Sequence, residues 1–475
     1  MTVCEQIGEW AEGLGVEDLP ESVADRGRLQ LANMLAARAA GEEAAAPVEA
    51  VAPQGPIGEV YRGAAASIAH DWDDYLFMGH TCHSAVWASA AFNSDPGRSL
   101  VAQVAANEVA GRLGAALFLG PHNGQFWASI HCAGAAVAAG IGLGLDAERL
   151  AHAVAIALYQ PPYGMWPGFM GPSSKLLTAA EPAGQGARAA MLAREGMDGA
   201  LDVIENPRGV LSSLSFAPLP GMLGALGEVW LTDTLAFKPR PGCAYLQAGL
   251  DAVLGAGVGA SDVEAIEIEA GYLTCAMEEL GAGGDLTPVR VNFSAALSSA
   301  AALIAGRLTH LELRPEWLAE HETQIREIAS RVTVSHDLEL TLATLRGPMQ
   351  AGVDLRGLPA REWLRIGRGA REAGVGELPV GWEDVRDLAM KPRLRHELRE
   401  ALRGAPGRAA GPPALDRLDT SRMRLAFPSR ARIRLRSGRL IEIEGDERGA
   451  CGRALSEQRA VVDEKCALVG VDAAV

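Results

Sequence analysis

The sequence predicts a mainly α protein with a smaller α+β domain, and three observations carry that prediction. Apolar residues recur at helical spacing through the first half of the chain. Composition is 48% hydrophobic but only 5% aromatic. The apolar bulk is small Ala and Gly, which favours close helix–helix packing over an aromatic-rich β-sandwich. Period-two alternation, the mark of a strand, is confined to three later runs. At 475 residues the chain can hold two domains and a large core.

Taken in order, Cys4–Leu14 and Glu21–Arg38 read as helices, the second with Val23, Leu29, Leu31, Met34 and Leu35 as its apolar stripe. Pro47–Pro56 is a Pro/Ala loop, and Tyr61–His70 a short helix of small residues. Pro96–Leu119 is a long helix. His122–Phe126 should open the next one, which runs to Leu145. Ala147–Tyr159 is apolar and helical. Pro161, Pro162, Gly164, Pro167, Gly168, Gly171 and Pro172 then form a loop of helix breakers, followed by a helix over Ala179–Arg194. Tyr245–Leu254 is helical again. Val263–Glu269 and Val332–Asp337 alternate as strands, and Arg432–Glu444 as a hairpin turning at Ser437-Gly438. Phe293–Ala305, Pro315–Arg331 and Leu455–Leu468 complete the helices. The expected units are a helical domain over 1–237, a smaller α/β domain over 238–445, and a C-terminal segment, 446–475, that returns to the helical part.

Net charge is −16, which speaks against general nucleic-acid binding. The charge is uneven: Arg361–Leu440 holds nineteen Lys/Arg against ten Asp/Glu, read as a solvated Arg-rich face. Seven cysteines are scattered without CxxC spacing, as expected of a reducing cytoplasm and not of a disulfide framework or zinc site. The N-terminus has no basic stretch followed by an apolar run, so no secretory signal is expected. No Ala/Gly run reaches membrane-spanning length before a polar residue breaks it. There is no dinucleotide fingerprint, P-loop or nucleophile elbow.

Chemistry concentrates between two small-residue runs. Asp71, Asp73 and Asp74 stand with His70, His80 and His83 inside fourteen residues. Buried charge is expensive unless paired or used. The histidines are candidate acid/base groups, since imidazole alone titrates near neutrality unperturbed. Asp71 or Asp74 would orient a histidine, or act as base if burial raised its pKa. A metal fits poorly: His80 and His83 are badly spaced for one helix face, and three aspartates cannot converge from one turn. No metal is expected. Lys175 opens a helix after the Gly/Pro loop, where helix N-termini add positive potential and favour anions.

Ala69-His70-Asp71-Trp72-Asp73-Asp74-Tyr75, the turn with His80 and His83, and the Ala-rich helix after it resemble the signature of the MmgE/PrpD family. Supporting resemblances are Glu108-Val109-Ala110 with Arg112, Lys175 with the helix beyond it, Lys238-Pro239-Arg240-Pro241-Gly242-Cys243, and Asn292-Phe293-Ser294. Together they cover about 1–345 and 425–475. The chain departs from the pattern at Tyr75, where Thr is usual, at Thr81-Cys82 in place of a His-Pro turn, at Gln125, where decarboxylases carry His, at Arg240, and at Leu297, where Tyr is usual.

The resemblance implies a two-domain, cofactor-independent lyase, a dehydratase or decarboxylase of small di- or tricarboxylates. It also implies a homodimer, with no nucleic-acid or membrane partner. Epimerisation and carboxylate binding without turnover stay open as alternatives. Lys175 and Lys238 are the implied cations, with Arg240 beside them, and Cys243 lines the implied pocket. Asp71 with His80 or His83 is the expected acid/base pair, His80 the nearer choice and His122 the fallback. Tyr75 would add a phenol, and Asp74 and Gln125 would complete the substrate contacts.

Overall fold

The computed structural model describes residues 1–473 except 122–126, 282, 373–385, 387, 389 and 404–411, and leaves out the side chains of 401–403. It is mainly helical. The helices Glu21–Gly41, Pro56–Ile68, Cys82–Phe92, Pro96–Leu117, Ala128–Leu143, Ala147–Tyr159 and Leu177–Arg194 pack into one large core. Small side chains set its spacing. A Cβ on Gly63 would lie 2.5 Å from the Trp87 ring, so the Pro56–Ile68 and Cys82–Phe92 helices approach closely only with glycine there. Alanines dominate the contacts, and helix backbones come nearer where side chains are small.

Two strands lie against this core. β1 (Asp74–Tyr75) pairs antiparallel with β2 (Ala236–Phe237), with Asp74 opposite Phe237 and Tyr75 opposite Ala236. The second core is built on a four-stranded sheet: β3 (Val263–Ala270), β4 (Val332–His336), β5 (Ser429–Leu435) and β6 (Leu440–Glu444), in the order β4-β3-β5-β6. β3 and β4 are parallel; β3–β5 and β5–β6 are antiparallel. Val263, Ile266, Ile268, Ala431 and Ile433 face helices Gln247–Gly255 and Ala295–Ala305. On the other face Arg432 bridges Glu269 (2.8 Å) and Glu442 (3.0 Å). The arginine-rich strand is thus a charged ladder on an exposed sheet face.

The chain differs from the sequence reading in a few places. The helix expected over Phe293–Ala305 begins at Ala295, and Phe293 instead ends a separate helix, Pro288–Phe293, because Ser294 turns extended and caps the later helix through Leu297 N–H at 3.1 Å. A one-turn helix, Ala46–Glu49, interrupts the loop before Pro56. Helices at Tyr272–Gly281, Leu338–Ala351, Ala360–Glu372 and Pro392–Arg403 were not anticipated. Residues 351–358 and 415–427 pack into the large helical core and not onto the sheet. The C-terminal helix Leu455–Val469 lies against Glu21–Gly41 and β2. No helix among the described residues is long and apolar enough to cross a membrane.

Candidate active site

The site forms where the chain leaves the Pro56–Ile68 helix. Asp71 takes a left-handed conformation, φ 51°, tolerated by Asp better than by most side chains. The chain then runs extended into β1, so consecutive side chains point to opposite sides. Leu76 N–H bonds to Gly79 O at 3.1 Å, and Gly79 has φ 132°, a region open to glycine. This tight turn brings His80 back over Asp73.

Asp73 is the hub. One carboxylate oxygen accepts from His80 Nδ1–H at 2.6 Å and from His83 Nε2–H at 3.1 Å. The other accepts from the Lys238 ammonium at 2.5 Å. Asp73, His83 and Lys238 are buried, and His80 keeps 14% of its side chain exposed. Lys238 arrives through the β1–β2 register. Asp74 faces Phe237, so the next residue on β2 stands opposite Asp73. Lys238 also donates to the Asp71 carbonyl at 2.8 Å. Lys175 donates to Asp71 Oδ1 at 2.7 Å and to Ile68 O at 3.1 Å. Its ammonium lies 5.5 Å from the ring centres of Phe169 and Phe293. Both ammoniums therefore touch Asp71.

Burial alone would push the Asp73 carboxyl up. The Lys238 ammonium and the bonds from both imidazoles outweigh it and hold the carboxyl well below its usual range. Lys238 sits above its ordinary value: burial opposes the charge, but Asp73 and Asp71 favour it more. Burial draws His80 below its ordinary value despite Asp73. With Asp73 ionised, His80 is assigned the Nδ1–H tautomer, which leaves Nε2 as its basic nitrogen. His83 is spent on both sides. Nε2–H goes to Asp73, and Nδ1 faces the Ser67 hydroxyl at 2.9 Å, which itself accepts from Trp87 Nε1–H at 3.0 Å.

This arrangement corrects the expected pairing. Among the described residues Asp71 holds no histidine; the left-handed turn aims it at Lys175, and Asp73 takes both imidazoles. Asp73 was missed as the centre, although alternation along an extended run separates it from Asp74. Asp74 points the other way, accepting from Gln30 Nε2–H and Asn33 Nδ2–H at 2.8 Å each. Tyr75 donates its hydroxyl to Glu447 at 2.7 Å, and its ring centre is 5.7 Å from that of His80. Arg240 pairs with Asp251 at 2.8 Å. Cys243 is buried in the second core, its thiol pushed up by burial to about 12. His122 and Gln125 lie outside the described residues.

Among the described residues, Asp73, Cys82 and His83 bring potential metal-ligand atoms within 4.8 Å of one another. His80, His83 and Lys238 already donate to the Asp73 carboxylate, and burial raises the Cys82 thiol well above its ordinary value. The donor set therefore fits ion pairing better than a metal. The cluster is buried except for the edge of His80. A cleft of about 230 Å³ lies outside it, lined by Tyr163, Met165, Phe169, Ser174 and neighbours. Phe169 is both a wall of that cleft and a neighbour of the Lys175 ammonium. A larger depression, about 290 Å³, lies against Val16, Arg98 and Leu150 and touches none of these residues.

Compared with known proteins, residues 5–220 match the family model of the MmgE/PrpD N-terminal domain. That stretch includes Asp71, Asp73, His80, His83 and Lys175; Lys238 lies beyond it. No curated protein matches the chain.

Proposed function

The chain belongs to the MmgE/PrpD family through the domain that carries the acidic turn, and from that premise we propose that the Asp73 cluster is the active site of a cofactor-independent lyase. Its substrate is a small di- or tricarboxylate, and its reaction moves a proton on the carbon next to a carboxylate. One observation carries the reading: two buried ammoniums and two imidazoles converge on two carboxylates of a single turn inside an alanine-lined core. A purely structural core seldom needs that much buried charge.

In this mechanism Lys175 and Lys238 hold the substrate carboxylates and stabilise the negative charge that develops when the neighbouring carbon loses its proton. His80 Nε2 takes that proton. Asp73 fixes the tautomer and stabilises the imidazolium. In dehydration the imidazolium returns the proton to the departing hydroxyl. In decarboxylation no substrate proton is taken: CO2 leaves from the complex in which His80 has picked up a proton from solution, and that imidazolium then protonates the carbon. Phe169 and the Pro161–Pro172 loop move aside to admit substrate. The protein works in the cytoplasm as a homodimer.

The test is proton NMR in deuterated water with a panel of acids, among them cis-aconitate, 2-methylcitrate, citrate and malate. Elimination or CO2 loss with at least one of them supports the lyase. Exchange of an α-proton with neither points to an epimerase. Calorimetric binding without exchange makes the protein a carboxylate binder, and neither binding nor exchange ends the proposal.

A further inference from the structure

Behind the acidic turn lies a second buried polar group that the proposed chemistry does not use. Its first member, Lys465, comes from the C-terminal helix, far in sequence from the matched domain. Lys465 is buried. Its ammonium donates to the Trp72 carbonyl at 2.6 Å and to Asn33 Oδ1, and lies 5.3 Å from the centre of the Trp72 ring. Asn33 passes the interaction on, donating to Asp74 Oδ2 at 2.8 Å.

A second arm reaches Asp74 from the opposite side. The Thr81 hydroxyl donates to Asn107 Oδ1 at 2.6 Å, Asn107 Nδ2–H to Gln30 Oε1 at 2.7 Å, and Gln30 Nε2–H to Asp74 Oδ1 at 2.8 Å. From Lys465 through Asn33, and from Thr81 through Asn107 and Gln30, the donors run toward the Asp74 carboxylate, so these bonds polarise one another in one sense, while the Lys465 bond to the Trp72 carbonyl ties the first arm to the turn. All six side chains are buried. The two ends of this relay, Trp72 and Thr81, bracket the loop that carries Asp73 and His80. Both ends are thus anchored on the segment that places Asp73 and His80 against Lys238.

We propose that Lys465 is a positioning residue: with Asp74 it supplies the charged members of a buried relay that holds Trp72 and Thr81 and so sets the Asp73–His80 contact. This rests on the reading of that contact as catalytic, but it predicts a property of the resting protein as well. Burial pushes Asp74 up to about 7 and Lys465 down to about 7. The bonds that Asp74 accepts and Lys465 donates suit the ionised forms of both. Removing one charge alone should therefore disturb the relay more than removing both.

The experiment follows the Nδ1 proton of His80 by NMR in 15N-histidine-labelled full-length protein, assigned by its loss in His80→Gln. In wild type the short bond to Asp73 protects this proton from exchange. In Lys465→Met, exchange should quicken by on the order of tenfold, as local opening becomes easier. Asp74→Asn combined with Lys465→Met should restore part of the protection. Where an acid is turned over, Lys465→Met should lower kcat by roughly 10–100-fold and leave KM within about threefold, as a small misplacement of the base would. Thr81→Val, nearly isosteric and at the far end of the relay, should also speed exchange, and it decides the matter if Lys465→Met fails to fold. Unchanged Nδ1 exchange in both folded variants, or in Thr81→Val alone when Lys465→Met is unfolded, overturns the proposal. Absence of turnover with every acid would defeat the lyase reading, while the exchange result would still judge the relay.

Discussion

His80 and His83 are three residues apart and share one carboxylate oxygen of Asp73, yet their surroundings give them different work. Both nitrogens of His83 are taken, by Asp73 and Ser67. Among the described residues His80 is bound on one side only, and it is the most exposed member of the cluster. His80→Gln should therefore reduce α-proton exchange by roughly 10²–10⁴-fold, the usual span for a general acid–base group, with thermal stability nearly kept. His83→Gln should do the reverse, lowering Tm more than exchange. If the two variants lose exchange equally at equal stability, the assignment of the base is wrong. The lysines form a second test. Lys175→Met and Lys238→Met should each lower kcat/KM by on the order of 10²-fold or more, from lost charge-assisted contacts of about 1.5–3 kcal/mol. Normal kinetics in either would remove that lysine from the site. These residue types were legible in the sequence because three aspartates beside three histidines stand out in an alanine-rich chain. Their partners were not. Which aspartate meets which cation depends on a left-handed φ at Asp71 and on a strand register, and neither leaves a mark in composition or spacing.

At the scale of elements, the long helices and the alternating strands were readable because each buries one face of regular period. The two-residue strands β1 and β2 were not, since two residues show no period. They matter most, because their pairing delivers Lys238 to Asp73. The same strand sets Tyr75 against Glu447, which also accepts from Phe427 N–H at 2.9 Å. Burial pushes the Glu447 carboxyl from 4.5 up to about 7. The folded chain therefore keeps this proton over a range where the unfolded chain has lost it. Stability contributed by Glu447 is complete below about 4.5 and is lost as pH rises through about 7. Glu447→Gln keeps the shape and removes the titration. Measured by urea midpoints between pH 4.5 and 8, the variant should gain on wild type as pH rises, by up to about 3 kcal/mol. A stability difference that does not change with pH would mean that Glu447 is ionised throughout and that Tyr75 carries the burden of solvating it.

For the whole molecule, the question is how a chain of net charge −16 would take in the dianion proposed as its substrate. The large helical core and the sheet-based core meet around residues 238–246, and the proposed site lies at that seam. The site holds two ammoniums, but Asp71 and Asp73 already neutralise them. A dianion entering this largely buried, neutral cluster would add two negative charges without counter-ions, which is costly in a protein interior. The simplest compensation is a proton. His80 is held below its ordinary pKa in the resting protein, so at pH 7.5 it is neutral; negative charge placed beside it raises that pKa and draws a proton from solution, so abstraction of a substrate proton proceeds from the fraction of complexes in which His80 Nε2 is still free. Binding of succinate, which has the charges but no leaving group, should therefore take up on the order of one proton per molecule, in line with linkage between charge and protonation. Calorimetry in two buffers measures this directly. Uptake makes the observed enthalpy more positive in Tris, whose ionisation absorbs much heat, than in phosphate, whose ionisation absorbs little. Affinity should also fall as pH rises above neutrality, and His80→Gln should abolish most of the buffer dependence. Equal enthalpies in the two buffers with wild type would show that the dianion is compensated otherwise, by expelling Asp71 or Asp73 from its lysine.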